Sequence, residues 1–234
     1  MDNRISFPEN QYEHKILNIV NKSTTISAVF ESIEPYRDIF RKADTLLELG
    51  AGPGWLSCLI KYLFREKRIL SSDIDKDAVA GMENWENTFD VKLDDKIVCD
   101  SCNIPVQNES VDIVFCFQAA HHFKKFKKTL SEIHRILKPN GHCIFLHEPS
   151  CRKFFHKIAF IRVNIKTPNR GEDVLIYKKI ECIAKETGFG EVKINFRPSI
   201  LNRKPVPFIY FFILNKIKIL NRILPSTADF VFRK

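Results

Sequence analysis

The sequence has few of the features that mark a fibrous, disordered or membrane-spanning chain. Only 8 of its 234 residues are glycine and 11 are proline, too few for a collagen-like or low-complexity chain. No stretch reaches the roughly 18 consecutive apolar residues that a membrane-spanning helix needs, and the longest apolar run, 206–214, contains Pro207. The first fifteen residues are polar and lack the apolar core of a signal peptide. We therefore expect one globular, cytoplasmic domain.

The cysteines provide neither a disulfide framework nor a complete zinc site. The chain has seven cysteines, an odd number, and most of them lie in apolar, strand-like runs. This pattern is typical of reduced, buried thiols. Cys99 and Cys102 have CxxC spacing, but no second pair or histidine cluster completes a zinc set. We expect a structural role for this pair, with metal or redox use as the alternative.

The whole chain has a formal net charge of +9, and acidic residues are scarce in two parts of it. Nine Lys/Arg face two Glu between residues 123 and 157, and seven Lys/Arg face only Asp229 from residue 201 onward. A basic surface suggests nucleic acid, a phosphorylated substrate or an anionic membrane as the partner. Solvated lysines on a lysine-rich chain explain the same charge, so composition leaves these alternatives open.

Short apolar runs alternate with helical patterns along the chain. Strand patterns occupy 45–49, 68–73, 96–99, 111–117, 142–146, 192–196 and 229–232, and helical patterns occupy 11–22, 27–41, 55–64, the stretch after Asp75, 126–137 and 173–187. This alternation predicts an α/β fold with a parallel sheet covered on both faces. Ligands of such sheets bind beyond the carboxyl ends of the strands. The stretch 197–227, which is both apolar and basic, does not follow the simple alternation.

A glycine-rich loop, 50–54 (GAGPG), follows the first predicted strand directly. Its glycines let the backbone turn sharply and approach a ligand closely. The spacing GxGxG, with Trp55 in the place of a third glycine and no N–H on Pro53, differs from the GxGxxG dinucleotide fingerprint. Glu48, beside the loop, would repel a phosphate and attract an ammonium group. The loop therefore favours a cationic ligand over a pyrophosphate, which makes a nicotinamide dehydrogenase a distant alternative.

Two carboxylates end neighbouring predicted strands. Asp73 stands 23 residues after Gly50 and can accept both hydroxyls of a ribose. Asp100 ends the third strand and can accept a hydrogen bond from an exocyclic amine such as that of adenine. Either aspartate alone can also be an N-cap or a solvated turn residue.

Together these segments resemble the class I S-adenosylmethionine-dependent methyltransferases. Five segments match the motifs of that family in order: 47–54 (LELGAGPG), 72–75 (SDID), 99–100 (CD), 109–115 (ESVDIVF) and 121–141 (HHF to LKPNG). The last of these is similar to the small-molecule, type 11-like branch. The match spans about residues 44–148. The resemblance implies a Rossmann-like, doubly wound sheet of seven strands that is mostly parallel, with the last strand antiparallel.

The resemblance also implies S-adenosyl-L-methionine as the cofactor. The matching cofactor-binding positions are Glu48, Gly50, Gly52, Gly54, Asp73, Ile74, Asp100 and Gln118. Glu48 would face the ammonium group of the cofactor, directly or through water. Asp73 would hold the ribose hydroxyls, and Asp100 would contact the adenine amine. Ile74 would pack on adenine, and Gln118 would lie near the sulfonium methyl group.

Candidate general bases follow the fourth and fifth predicted strands. They are His121, His122, His147 and Glu148. For His122 a hydrogen-bonded packing role is the stronger interpretation. No Asp-Asp-Asn metal set is recognisable, so we expect no metal site.

We expect a single domain over 1–234, with N-terminal helices at 1–43, a cofactor-binding core at 44–196, a substrate-side insertion at 197–227 and a final strand at 228–234. The expected function is methyl transfer to a small-molecule or lipid/saccharide-linked acceptor. The alternatives are a cofactor-binding but non-catalytic scaffold, and an RNA methyltransferase, which the lack of a separate RNA-binding domain disfavours. The segment 206–224 is interpreted either as a helix packed on the domain or as a substrate cover that touches an anionic membrane.

Overall fold

The computed structural model describes residues 11–165, 172–198 and 205–234. Its helices and strands are α1 (Gln11–Ile33), α2 (Arg37–Lys42), β1 (Thr45–Leu49), α3 (Trp55–Leu63), β2 (Arg68–Asp73), α4 (Lys76–Ala80), α5 (Met82–Phe89), β3 (Asp95–Val98), β4 (Val111–Phe117), α6 (Phe126–Ile136), β5 (Leu137–Cys151), α7 (His156–Asn164), β6 (Leu175–Ile176), α8 (Tyr177–Glu186), β7 (Glu191–Phe196), α9 (Pro205–Lys216), α10 (Lys218–Asn221) and β8 (Ser226–Arg233). Much of the polar start of the chain, 1–10, and residues 199–204 of the predicted insertion lie outside the described residues.

The strands form one sheet in the order β3-β2-β1-β4-β5-β8-β7, and the two-residue β6 pairs with the end of β5. Strands β1 to β5 pair in parallel, whereas β8 runs antiparallel to both β5 and β7. The predicted Rossmann-like sheet with an antiparallel last strand is therefore confirmed. The strand order reverses between β1 and β4, and a crevice opens beyond the carboxyl ends of strands at such a switch point.

Helices cover both faces of the sheet. Leu130 of α6 and Ile180 of α8 belong to the core on one face, and Leu56 of α3 belongs to the core on the other. Alternation along β4 sends Val114 to the first core and Phe115 to the second, as the period of two in a strand requires. This packing on both sides holds the strand ends that carry the site.

The N-terminal helices differ from their prediction. The predicted pair, 11–22 and 27–41, is one long helix, α1, followed by the short α2. Residues 23–26, between the two predicted segments, are helical. Ser27 Oγ donates a hydrogen bond to the carbonyl of Ser23 one turn earlier, at 3.2 Å. The hydroxyl is satisfied inside the helix, so the helix continues.

Three features of the second half also differ from prediction. The helix expected from Asp173 begins only at Tyr177, because Leu175 and Ile176 pair with the far end of β5. Strand β5 is longer than the predicted 142–146, because it begins at Leu137, and its pairing with β4 is interrupted between Leu137 and His142. Helix α7 has no counterpart in the prediction. Across the described parts of the chain, every helix is too short or too polar to cross a bilayer.

Candidate functional site

The glycine loop joins β1 to α3 at the switch point. Gly50, Gly52 and Gly54 all have positive φ, at 66°, 55° and 77°. A Cβ atom at Gly50 would lie 2.9 Å from Cβ of Ala119, and one at Gly54 would lie 2.7 Å from Cγ of Met82. A Cβ atom at Gly52 meets nothing within 4 Å. Close packing therefore requires glycine at two of the positions, and Gly52 is the glycine that faces open space.

Asp73, the last residue of β2, is tied to this loop. Its Oδ2 accepts a hydrogen bond from Gly52 N at 2.7 Å, and its Oδ1 accepts one from Asp75 N at 2.9 Å. Asp75 is the N-cap of α4, because its side chain accepts from two backbone N–H groups of that helix. A carboxylate offers about four lone-pair sites. Asp73 thus keeps acceptor capacity for a ligand.

A cleft of about 700 Å³ lies beyond the ends of β1 to β4, a volume typical of small-molecule sites. Six of the predicted cofactor-binding residues line it, namely Gly50, Gly52, Asp73, Ile74, Asp100 and Gln118. The predicted base His122 lines it as well. Ile74 is 70% exposed, so the cleft presents an apolar side chain that a ligand can cover.

Two side chains of the cleft are oriented by backbone hydrogen bonds. Asp100 Oδ1 accepts from Cys102 N at 2.8 Å, and this bond holds the pKa of the Asp100 carboxyl below its usual value. Gln118 has φ of 51°, and its N–H donates to the carbonyl of Leu146 at 3.0 Å. A left-handed residue other than glycine costs of order 1–3 kcal/mol. The fold accepts this strain where Gln118 reaches the cleft.

Glu48 and Gly54 are not among the residues that line the cleft. The Glu48 side chain is only 3% exposed and accepts a short hydrogen bond from Ser57 Oγ, which also lies 2.9 Å from Ser71 Oγ. Burial raises the pKa of Glu48 to about 8, against the opposing effect of the hydrogen bonds from Ser57. At neutral pH this carboxyl is mostly protonated, which weakens it as the direct partner of an ammonium group.

His121 and Glu148 form a buried pair beside the cleft. His121 Nδ1 lies 2.7 Å from Glu148 Oε2. The fully buried Glu148 also accepts from the backbone N–H groups of Ala119 and Ala120, each at 2.9 Å, and of His121 at 3.2 Å. Because the carboxyl oxygens accept these backbone N–H groups, we assign the proton between the two side chains to Nδ1, which leaves the lone pair of the ring on Nε2. Glu148, predicted as a base, is enclosed by these donors and positions the loop that carries His121.

A second pocket of about 670 Å³ borders the cleft. Its lining, which we call the lysine pocket, is His121, His122, Phe123, Lys124, Lys125, Phe126, Lys127, Lys128, Phe160, Asp173, Lys179 and Ile183. Five of the twelve residues are lysine. The one acidic residue, Asp173, is engaged by His156 Nε2 at 2.9 Å. Such a lining favours a negatively charged ligand.

The residues that line both cavities could not be recognised as a shared wall from sequence patterns. Phe123, Lys124 and Lys125 line both the cleft and the lysine pocket, and Lys179 joins the pocket from α8, far along the chain. Loop residues of this kind have no periodicity that predicts where they point. The sequence predicts only a basic segment after residue 123 and a family motif that begins at His121.

Possible metal ligands converge at one place in the described parts of the chain. Ligand atoms of His121, His122 and Glu172 lie within 4.8 Å of one another. Cys99 and Cys102 belong to no such group; they are free thiols that line the cleft. Burial raises the pKa of the Cys99 thiol, which fits a structural thiol more than a reactive one.

His147, another predicted base, lines neither cavity. It is buried, and its ring stacks on Phe117 with centroids 5.8 Å apart. Its backbone N–H donates to Asp229 Oδ1 at 2.9 Å, and Tyr36 OH donates to Asp229 Oδ2 at 3.0 Å. Burial raises the pKa of Asp229 to about 6. This network joins the N-terminal helices to β5 and β8, so His147 sits in a structural setting.

Comparison with known proteins finds a family model described as "Methyltransferase domain" over residues 47–145. An uncharacterised methyltransferase of Schizosaccharomyces pombe is 34% identical over 100 residues, covering 43% of this chain and 37% of that protein. A fatty-acid O-methyltransferase of Mycolicibacterium smegmatis is 23% identical over 118 residues, covering 49% of this chain and 42% of that protein. The chain thus matches less than half the length of these relatives.

Solved structures share the fold over nearly the whole chain. The geranyl diphosphate C-methyltransferase of Streptomyces coelicolor A3(2) has a TM-score of 0.69 at 13% identity, covering 97% of this chain and 86% of that one. At such identity the likeness concerns the fold alone.

Proposed function

We propose that this chain is a class I S-adenosylmethionine-dependent methyltransferase that transfers a methyl group to a small-molecule or lipid/saccharide-linked acceptor. The match to a methyltransferase domain over residues 47–145 supports this assignment. One observation carries the proposal: the cleft that Gly52 and Asp73 line borders a second cavity that His121 lines, and the two cavities share lining residues. A donor and an acceptor can therefore lie side by side, with a basic nitrogen beside them. When bound, S-adenosylmethionine supplies an electrophilic methyl group on its sulfonium centre.

The residues of the cleft fit this cofactor in shape and in donor chemistry. Gly52 leaves open space above the loop, and Asp73 retains acceptor capacity for ribose hydroxyls. Asp100 can accept from the adenine amine, and the exposed Ile74 offers an apolar surface to the ring. Covering one such side chain contributes about 1.5–3 kcal/mol. Gln118 at the end of β4 would border the methyl group.

Glu48 and Gly54 have an indirect part in the proposed cofactor site. The Glu48 carboxyl lies beneath the glycine loop, where it bonds Ser57 at the start of α3. Gly54 permits close packing of the same segment on Met82. We assign both residues to support of the loop, and any contact of Glu48 with the ammonium group to an intervening water.

His121 is the proposed general base. Its Nδ1 donates to Glu148, so its Nε2 can take a proton from the acceptor as the methyl group is transferred. Glu148 holds the imidazole in that tautomer and orientation. His122, which borders both cavities, is proposed to position the acceptor next to the cleft. No metal ion is needed in this scheme.

The lysine pocket favours an acceptor that combines a negative charge with an apolar part. Its lysines provide the positive field, and Phe126 and Phe160 provide apolar walls. Two similar proteins are named for acceptors of this type, a fatty acid and geranyl diphosphate. We therefore place lipid-like acids first among candidate acceptors, and peripheral membrane contact through 206–224 fits an acceptor of that class.

Calorimetry and methyl transfer test the proposal in two steps. Titration with S-adenosylmethionine and with its demethylated product establishes whether the cleft binds the cofactor. Transfer of a labelled methyl group is then screened over lipid, polar-metabolite, RNA and protein fractions of an extract. Binding with label in the lipid or polar fraction supports the proposal. Binding without any label supports a non-catalytic scaffold, label in RNA contradicts the acceptor class, and no binding contradicts the cofactor assignment.

A further inference from the structure

The exposed apolar side chains are concentrated on one part of the surface. Of nineteen large hydrophobic side chains that are exposed among the described residues, thirteen lie in two segments, 154–165 and 206–223. Monomeric soluble proteins rarely expose apolar side chains in contiguous groups, and such groups mark a surface that meets a partner or a membrane.

The first segment carries an apolar stripe that faces outward. Phe154, Ile158, Ile161 and Ile165 are 86%, 65%, 49% and 75% exposed, and their spacing of four, three and four residues places them on one side of α7 and its flanks. The buried residue of the same helix is Ala159. Helix α7 thus packs on the domain with a small side chain and presents its large ones to the outside.

The second segment repeats this arrangement. Val206, Ile209, Ile213 and Ile217 are 79%, 58%, 43% and 48% exposed, at a spacing of three, four and four residues along α9. Phe211 and Leu214 face the protein. Helix α9 ends at Lys216, and after the non-helical Ile217 the short α10 carries Ile219, which is 66% exposed. These side chains form a second outward stripe.

The two stripes belong to one surface. Arg162 of α7 lies over the ring of Tyr210 of α9, with Cζ 5.0 Å from the ring centroid. Arg152 Nε donates to the carbonyl of Arg222 at 2.6 Å. Ala159 and Phe211 line a common cavity of about 260 Å³ between the helices. We call the surface formed by 152–165 and 205–224 the docking face.

All charged side chains of the docking face have the same sign. They are Arg152, Lys153, Lys157, Arg162, Lys216, Lys218 and Arg222, and no Asp or Glu occurs in either segment. Exposed apolar residues beside cations only are the composition of an interfacial helix at an anionic bilayer. An apolar protein partner alone would give no reason for the complete lack of acidic side chains.

We propose that the docking face binds the surface of an anionic lipid membrane, with α7 and α9 lying in the interface. This inference extends the expectation for 206–224 to a two-helix surface, and it holds whether or not the chain transfers methyl groups. Phe160 lies on α7 and also lines the lysine pocket. Membrane binding through this face would therefore bring the pocket next to lipid, where a lipid-linked acid can enter it.

Vesicle flotation without cofactor or acceptor tests the docking face separately from the proposed function. The wild-type chain is expected to float with vesicles of phosphatidylcholine and phosphatidylglycerol at low salt. It is expected to stay unbound with phosphatidylcholine alone or at high salt. Each lysine removed should weaken binding about fivefold. Lys153→Glu with Lys157→Glu, and separately Lys216→Glu with Lys218→Glu, should each lower it about 25-fold or more.

Matched variants separate the docking face from net charge and from misfolding. Arg65→Glu with Lys92→Glu changes the charge equally at an exposed place elsewhere on the surface and should leave binding unchanged. Ile158→Ser with Ile161→Ser should also weaken binding, while circular dichroism shows an unchanged fold because both side chains are exposed. The proposal is overturned if the wild type ignores anionic vesicles at low salt, or if the control pair weakens binding as much. It is also overturned if ultracentrifugation shows a dimer that the serine variant dissociates, since the face then joins two copies.

Discussion

Glu148 Oε2 lies 2.7 Å from Nδ1 of His121, and the same carboxylate accepts the backbone N–H groups of residues 119–121. One side chain at the far end of β5 thus fixes both the loop after β4 and the imidazole that this loop carries. A base that is oriented by a buried carboxylate resembles the base and its orienting group in other enzymes. The pair therefore has a structural role and a proposed catalytic role, and substituting each residue separately distinguishes the two roles.

His121→Asn is expected to lower the rate of methyl transfer by about 10²–10⁴, the usual contribution of a general base, and to leave cofactor affinity unchanged. Glu148→Gln should lower the rate as well and, in addition, the free energy of unfolding by about 1–3 kcal/mol. The amide must turn a donor toward groups that are themselves donors. Single-turnover kinetics and denaturant unfolding measure the two effects. His134→Asn, on α6, serves as the control; an unchanged rate in His121→Asn would exclude the base.

Asp73→Ala is expected to weaken S-adenosylmethionine binding by about 1–3 kcal/mol, because two ribose hydroxyls lose their acceptor. The fold should be retained, since Asp73 is only partly buried at a strand end. Titration calorimetry of the variant measures the effect. Asp95→Ala, at an exposed position of β3, is the control. If both variants bind as the wild type does, Asp73 is not the ribose ligand.

Local pattern predicted the parts of the fold whose residues are fixed by burial alone. Strands β1, β2 and β4 have the predicted bounds, because each contains a short apolar run that is followed by glycine or a polar residue. Helix α7 was missed because its large apolar residues face outward, which does not resemble a helix packed on a core.

The composition of the site was harder to predict than its place. Glu48 is turned under the loop by Ser57, a residue on the next helix, and no spacing rule reveals that contact. The lysine pocket combines residues 124–128 with Lys179, so it exists only once α6 and α8 have packed.

Glu48 makes stability depend on pH. Its pKa is about 8 in the folded chain against 4.5 for the ordinary group, so the folded state keeps a proton that the unfolded state releases. Stability should therefore fall as pH rises from about 4.5 to about 8 and then level off. Glu48→Gln should remove this decline and be more stable than the wild type at pH 9 by roughly 3–5 kcal/mol.

Urea unfolding over that pH range measures the difference. Asp229, with a raised pKa of about 6, contributes a smaller decline of the same sign in both proteins. The same variant should bind the cofactor with nearly wild-type affinity if Glu48 supports the loop. A large loss of affinity would instead assign Glu48 directly to the ammonium group.

Metal ions should inhibit the proposed methyl transfer and not activate it. The proposed base is Nε2 of His121, and a metal ion held by His121, His122 and Glu172 would occupy that nitrogen. We expect EDTA to leave methyl transfer unchanged, and added Zn²⁺ to inhibit it reversibly. Glu172→Gln should reduce the sensitivity to Zn²⁺ without changing the basal rate. Loss of activity with EDTA that a divalent ion restores would make this cluster a functional metal site.

Two substitutions in the glycine loop should affect different properties: Gly52→Ala mainly cofactor affinity, and Gly54→Ala mainly stability. Gly52→Ala places a methyl group in open space, so stability should fall only by the roughly 1–2 kcal/mol of a left-handed alanine. The methyl group enters the cleft, however, and cofactor affinity should fall about tenfold or more. Gly54→Ala adds a contact of 2.7 Å with the buried Met82, so stability should fall by about 2–4 kcal/mol, with little change in the affinity of the folded fraction.

Thermal unfolding measures the stability of the two variants, and calorimetry measures their cofactor affinity. Gly190→Ala is a near-neutral control, because its added Cβ meets nothing within 4 Å. The comparison is informative because both glycines have positive φ and lie in one loop, so backbone strain cancels between them. What remains is where the added methyl group points, into the cleft at Gly52 or into the core at Gly54. If both variants lose stability and neither loses affinity, the cofactor does not lie over Gly52, and the cleft is not its binding site.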